Sequence, residues 1–196
     1  MNLFKVPISA PIAVTNRLLI RRLTLADAED MYAYASRQEV PQYLLWSPHP
    51  DREFTHRYLK YILSEYKKGN FYDYAIEYRG ENRMIGTVGF TEIDRANHKC
   101  EIGYVINPDY RGKGIATEAL WALIEYAFEK MDMERVEAHY MVGNDASLRV
   151  MEKCHMKREG VFRRFLLVKD LYRDVGVCAI LKSEYYALKY KVERDG

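Results

Sequence analysis

A chain of 196 residues is long enough for one domain with a substantial core, and 48% apolar against 30% charged residues is an ordinary globular balance. The formal net charge of +2 excludes the strongly basic character expected of a nucleic-acid binder. No run approaches the roughly 18 apolar residues of a membrane helix. The stretch Met1–Ala13, broken by Lys5, Pro7 and Pro11, lacks the apolar centre of a signal peptide, so a cytoplasmic protein is expected.

Arg17 to Leu23 reads as an opening strand, with Leu18 and Ile20 on one face and Arg17, Leu19 and Arg21 on the other. Thr24, three residues before Asp27, predicts a capped helix to about Arg37 along Leu25, Ala28, Met31, Tyr32 and Ala35. The segment Val40 to Pro50 holds three prolines and reads as a loop anchored by Leu44, Leu45 and Trp46. A second helix is predicted from Asp51 to Lys68, stopped by Gly69 and Asn70, with the stripe Phe54, Tyr58, Tyr61, Ile62 and Tyr66.

From Tyr72 the period changes to two, and strands are predicted over Tyr72–Tyr78, Met84–Phe90 and Lys99–Ile106, a meander with a turn at Asp94–Asn97. A long amphipathic helix follows over Gly114–Lys130, then a strand over Arg135–Val142. Asn144 is placed to cap a helix to Lys153, and the runs Val161–Val168 and Asp174–Leu181 close the chain as strands. Residues 1–14 read as an extension, 15–185 as a single domain and 186–196 as a polar tail. Cys100, Cys154 and Cys178 lie in apolar patterns without metal-ligand spacing, which predicts buried free thiols and no metal site. The 17 tyrosines suit strands and a substrate cleft alike.

The stretch Glu101–Leu120 carries the chemistry. A strand runs into Asn107-Pro108, then Arg111-Gly112-Lys113-Gly114, then a helix. Two glycines let successive N–H groups turn toward one point, and that point lies at a helix N-terminus, where free donors and the macrodipole favour an anion. Arg111 and Lys113 add positive charge, so the loop reads as a diphosphate cradle. Lys113 is followed by Gly114 rather than Ser or Thr, which excludes a Walker loop, and the third glycine of the dinucleotide fingerprint is missing.

Arg111-Gly-Lys-Gly114-Ile115-Ala116 resembles the (Gln/Arg)-x-x-Gly-x-(Gly/Ala) motif of the GNAT N-acetyltransferase superfamily. Asn144-Asp-Ala-Ser147, leading into an amphipathic helix, resembles its Asn-x-x-Ser signature. The chain is most similar to the RimJ/RimL-like branch, the ribosomal-protein N-terminal acetyltransferases, from Thr15 to Glu184. The resemblance implies an α/β (α+β) fold: a mixed, mostly antiparallel sheet of about six to seven strands, helices on both faces, splayed at the strand before the cofactor loop. It also implies acetyl-CoA as co-substrate. The pantetheine would meet Val105 and Ile106, the pyrophosphate the amides of Gly112, Lys113, Gly114, Ile115, Ala116 and Thr117, and Asn144 would contact the cofactor from the far side. Where the family carries glycine and an aromatic after the second motif, this chain has His155 and Met156.

Arg149 to Arg164 holds a local excess of four positive charges, and Lys153 is the candidate for the 3′-phosphate. Amide formation needs a neutral amine and a stabilised thiolate. Deprotonating an α-amine at pH 7 costs only about 1–1.4 kcal/mol, against roughly 4.6 kcal/mol for lysine, so an N-terminal substrate needs a modest base. Glu101, on the strand leading into the cofactor site, is the candidate base, and Ser147, with Tyr140 second, the candidate acid. Cys154 lies on an apolar stripe with Leu148 and Met151, which argues against a covalent Cys/His enzyme near His139 and His155. Residues 40–75, expected to cover the cleft, hold only Asp51, Glu53, Glu65 and Asp73, a poor match for a polycation. A protein or peptide N-terminus is therefore the expected acceptor. The alternatives are a small amine (polyamine or antibiotic) and a non-catalytic acyl-CoA sensor. The chain is expected to act as a monomer or homodimer, without nucleic acid or membrane.

Overall fold

The computed structural model describes residues 11–69 and 72–195. Most of the N-terminal extension, and Asn70 as a helix stop, lie outside the described residues. Eight strands form one sheet in the order β1-β2-β3-β4-β5-β6-β8-β7: β1 Ala13–Val14, β2 Leu18–Arg21, β3 Asp73–Tyr78, β4 Arg83–Asp94, β5 Lys99–Ile106, β6 Arg135–Met141, β7 Lys157–Val168 and β8 Leu171–Leu181. The strand beyond the expected number is β1, too short to show alternation, which pairs Ala13 with Ile20 and Val14 with Leu19. Every neighbouring pair is antiparallel except β5–β6. A parallel pair needs a crossover, and the helix α3, Ile115–Glu129, supplies it.

Helices cover both faces. Ile115, Ala119, Leu120, Leu123, Ile124 and Phe128 of α3 pack on one face against Ile102, Val136 and Ala138. The other face is closed by α1, Ala28–Ala35, and α2, Arg52–Lys68, whose Met31, Tyr34, Leu59 and Ile62 meet Ala75 and Met84. A single 3-10 turn, Leu25–Asp27, precedes α1, with the Thr24–Asp27 capping box in place. Asp51 caps α2 by accepting from the Phe54 amide, and Gly69 ends it at φ 75°.

The stripe expected for α2 is rotated. Thr55, Leu59, Ile62 and Tyr66 are its buried residues, while Tyr61 is 56% exposed and Phe54 39%. Phe54 and Tyr58 face a cavity instead, and a cavity wall reads as apolar in sequence just as a core does. Similarly Tyr34, not Tyr32, is the buried tyrosine of α1. After α4, Asp145–Lys153, His155 takes the left-handed conformation, φ 57°, and Met156 is buried. The turn that the family makes with glycine is thus kept by a histidine.

The largest correction concerns the C-terminus. The expected polar tail belongs to a helix, α5, Lys182–Asp195. Tyr185 fixes it: fully buried, its ring lies 5.1 Å from Phe128 and 5.8 Å from Trp121, and its hydroxyl donates to Glu129. All three cysteines are buried and free. Among the described residues no helix is long and apolar enough to cross a membrane. If Tyr185 is what docks α5, Tyr185→Ala will destabilise the protein by about 3–5 kcal/mol in urea unfolding, the cost of deleting a buried aromatic. A change below about 1 kcal/mol would show α5 to be dispensable.

Candidate active site

The turn between β5 and α3 begins with Asn107, whose side chain accepts from the Asp109 amide. Gly112 and Gly114 follow at φ 73° and 76°, the left-handed region that glycine enters without strain. Gly114 is the N-cap of α3 and provides no side-chain cap. The first-turn amides of α3 are left as donors at the positive end of a 15-residue helix. By contrast α4 is capped: Asn144 Oδ1 accepts from the Ser147 amide at 3.2 Å.

These donors face a cavity of about 480 Å³. Arg111, Gly112, Gly114, Ile115, Ala116 and Thr117 line it at one end, with Asn144, Ser147, Arg149 and Lys153 along one side and Tyr104, Val105 and Ile106 along the strand. The residues read from sequence as a cofactor site therefore surround one space, and their chemistry, backbone donors at a helix end with three cations nearby, fits a diphosphate carrier. Lys113 is the exception. It is absent from that lining; its ammonium donates to the Asp109 carbonyl at 3.0 Å and sits 5.1 Å above the Tyr110 ring. Arg17, which sequence reasoning passed over, buttresses the loop instead. Its guanidinium donates to the Lys113 carbonyl at 2.8 Å and pairs with Glu118 at 2.6 Å. Only the folded sheet brings Arg17 to this loop, so no local signal marks it.

The strand beside this space is free on one edge. β5 and β6 pair only at Lys99–Arg135, Cys100–Val136 and Glu101–Glu137. Beyond Glu101 the strands part. The Tyr104 hydroxyl spans the gap to Ser147, 2.8 Å from its Oγ and donating to its carbonyl oxygen at 3.1 Å, and burial pushes the phenol well up from its ordinary pKa. Tyr104 is a second functional candidate that sequence reasoning missed. Tyr140 lines neither cavity described here; its ring is packed against Gly176. Cys154 is equally withdrawn, its thiol donating to the Thr117 carbonyl and pushed up to about 12 by burial.

A larger cavity of about 1020 Å³ lies on the α1–α2 face and shares Leu44, Tyr104 and Val105 with the first. Its walls are Tyr34, Trp46, His49, Phe54 and Tyr58, with Asp73, Thr87, Gly89 and Gly103 toward the sheet. His49 accepts or donates at Nδ1 to Thr55 over 2.8 Å, and burial lowers its pKa, which keeps the ring neutral. Glu101 stands outside this lining, two residues along β5 from Gly103 and next to Thr91, which is in it. Its carboxylate lies 3.2 Å from His139 Nδ1, and burial raises its pKa while His139 opposes the shift.

Of the four acidic residues expected around the cleft, only Asp73 lines the cavity. Burial raises its carboxyl to about 7, against hydrogen bonds from the Thr87 hydroxyl and the Tyr74 amide that favour the charged form. Because the folded pKa lies above the unfolded value, ionising Asp73 penalises the fold, and the penalty grows as pH rises from about 4 through 7. Asp73→Asn removes it. The variant's stability advantage in thermal melts should widen between pH 5 and pH 8; a constant or shrinking difference would contradict the burial of this charge.

A family model for the acetyltransferase (GNAT) domain matches residues 17–157. The uncharacterized N-acetyltransferase YnaD of Bacillus subtilis (strain 168) is 34% identical over 171 residues, covering 87% of this chain and 97% of that protein. The [ribosomal protein uS5]-alanine N-acetyltransferase of Escherichia coli (strain K12) is 27% identical over 179 residues, 87% of this chain and 91% of that one. Among solved structures, an acetyltransferase (GNAT family) from Bacillus anthracis superposes with a TM-score of 0.78 at 32% identity, over 87% of this chain and 98% of its own. A donor-rich helix end beside a parted pair of strands is thus found in a chain that matches the GNAT model over most of its length: this protein belongs to the GNAT family of N-acetyltransferases.

Proposed function

We propose that this N-acetyltransferase transfers acetyl directly from acetyl-CoA to the α-amine of a protein or peptide N-terminus. One observation carries the reading: a cradle for a diphosphate and a roomy apolar cavity meet at the same three residues, Leu44, Tyr104 and Val105. The similarity to a ribosomal-protein alanine N-acetyltransferase supports an N-terminal acceptor. So does the larger cavity, whose aromatic walls suit a peptide end better than a polycation.

In this reading the amides from Gly112 to Thr117 hold the pyrophosphate, and Arg111 and Asn144 flank it. Lys153, beside Arg149, takes the 3′-phosphate, while Lys113 contributes long-range charge. The free edge at Val105 and Ile106 receives the pantetheine amides, as a strand would. Acetyl-CoA supplies an activated thioester, and the protein orients it toward the larger cavity. Glu101 takes the amine proton through water near Thr91, and His139 holds its carboxylate. Ser147, polarised by the Tyr104 hydroxyl, returns a proton to the departing thiolate.

Free-thiol release from acetyl-CoA, measured over N-terminal peptides, polyamines and aminoglycosides, tests the acceptor. Peptides should turn over fastest; preference for a polyamine or antibiotic would replace the peptide reading, and no turnover alongside tight CoA binding would leave a sensor. Gly114→Val places a β-branched residue at φ 76° against Arg17 Nη2, 3.6 Å away, and should abolish CoA binding in calorimetry while the circular dichroism spectrum is kept. Unchanged affinity would refute the cradle. Glu101→Gln should lower kcat about a hundredfold and remove the acid limb of the pH–rate profile; an untouched profile would take Glu101 out of the mechanism.

A further inference from the structure

Two carboxylates face the α1–α2 side of the sheet, Asp27 buried and Asp73 half-buried, and only one has a cation. Asp27 is paired with Arg21, at 2.7 and 2.9 Å. Among the described residues, no lysine or arginine pairs with Asp73. Its Oδ1 accepts from the Tyr74 amide at 3.1 Å and its carboxyl from the Thr87 hydroxyl. An unpaired carboxylate in an apolar cavity is costly to maintain unless a cation arrives there during function.

The sheet register says where that cation would stand. Asp73 pairs with Gly89, and Gly89 with Gly103, so the carboxylate heads a row floored by two glycines. A Cβ built on Gly89 would lie 2.8 Å from Asp73 Oδ1, so the carboxylate leans over Gly89 toward β5. A nitrogen bound to Oδ1 would stand about 2.9 Å from it, inside the cavity that Gly89 and Gly103 also line. The next residues, Tyr104 and Val105, are those shared with the cofactor cavity. The nitrogen would thus stand in the chamber that opens at this junction, among its aromatic walls.

We propose that Asp73 selects and anchors the acceptor: its carboxylate receives the α-ammonium of a peptide whose first side chain is apolar, and Tyr34, Trp46, Phe54 and Tyr58 enclose that side chain. This rests on the larger cavity being the acceptor site of the acetyltransferase. Asp73 is assigned binding of the charged amine, and Glu101 its later deprotonation, so the two carboxylates have separable kinetic signatures.

The titratable groups around Asp73 are Tyr34 of α1, His49 of the preceding loop, Tyr58 and Tyr66 of α2, Tyr74 of β3, and Glu92 and Arg95 at the rim. Burial raises all four tyrosines, which stay neutral between pH 6 and 8, and shifts His49 toward its neutral form. A fall in amine affinity below neutrality that vanishes in Asp73→Asn would belong to Asp73.

The test is steady-state thiol release with saturating acetyl-CoA and tetrapeptides beginning with Leu, Phe or Met against Asp, Lys or Gly. Wild type should prefer the apolar set. Asp73→Asn should raise KM for the Leu peptide about tenfold or more, the scale of one charged hydrogen bond, with kcat within about threefold and CoA affinity unchanged. Asp73→Glu should recover part of the loss. Should the variants not fold, the wild type decides: the des-amino Leu peptide must inhibit at least about tenfold more weakly than the Leu peptide binds. An unchanged KM, a loss confined to kcat, or equal binding of the des-amino analogue overturns the proposal while leaving the acetyltransferase reading intact. If no amine is acetylated, calorimetry of the Leu peptide on wild type and Asp73→Asn still decides Asp73: weaker binding to the variant supports the anchor, and equal binding removes it.

Discussion

β5 and β6 run parallel and hydrogen-bond through only three residue pairs before they separate after Glu101 and Glu137. A strand edge inside a protein is a row of backbone donors and acceptors that must be answered by something, since burying them unpaired is costly. Here β5 stays paired to β4 along its length, and Tyr104 to Ile106, beyond the last pairing to β6, line the space beside α3 and α4. The Tyr104–Ser147 bond crosses the opening, so the gap is braced by a side chain where a backbone ladder would have closed it. The crossover through α3 makes this possible. It lets the helix start at the end of β5, next to the parting, so the donor-rich helix end and the free strand edge are neighbours by construction.

The cradle owes little to lysine. Lys113 is occupied with Asp109 and Tyr110, and Arg17 holds the loop from behind. What remains facing the cavity is mostly amide, with Arg111, Arg149 and Lys153 on its margin. Amides fixed by a helix need no rotamer to be frozen when an anion arrives, whereas a lysine loses up to about 2 kcal/mol of side-chain freedom. Positive charge at the margin then serves attraction over distance, and geometry at the centre serves fit.

What could be read in the sequence was what is encoded locally. The Arg111–Ala116 turn, the Asn144 cap and the strand Lys99–Ile106 each depend on neighbouring residues, and each lies where the pattern put it. The α2 stripe failed because Phe54 and Tyr58 serve a cavity wall, and apolarity alone does not distinguish wall from core. Helix α5 was hidden because Tyr185 is its one buried side chain among the described residues, and the rest of its contact, Tyr186 and Leu188 half-buried and Lys182, Glu184 and Lys189 in ion pairs, gives a weak apolar signal. Arg17, Tyr104 and Asp73 matter through partners far away in the chain. Asp73 was visible as an acidic residue near the cleft, but the row Asp73–Gly89–Gly103 exists only once three strands are in register.

That row also explains the two glycines. A side chain on Gly89 would collide with the backbone of Asp73 and Tyr72, so Gly89 is fixed by the close approach of β3 whatever the ligand. Gly103 is different: its built Cβ meets only Thr91 Cγ2, at 2.9 Å, a side-chain methyl that can turn away. The sheet does not require glycine there in the way it requires Gly89. A side chain at 103 would instead enter the larger cavity, which Gly103 lines together with Asp73. An open floor at that point leaves the Asp73 carboxylate and the Tyr104–Val105 junction facing one cavity, as the proposed anchoring of an amine requires.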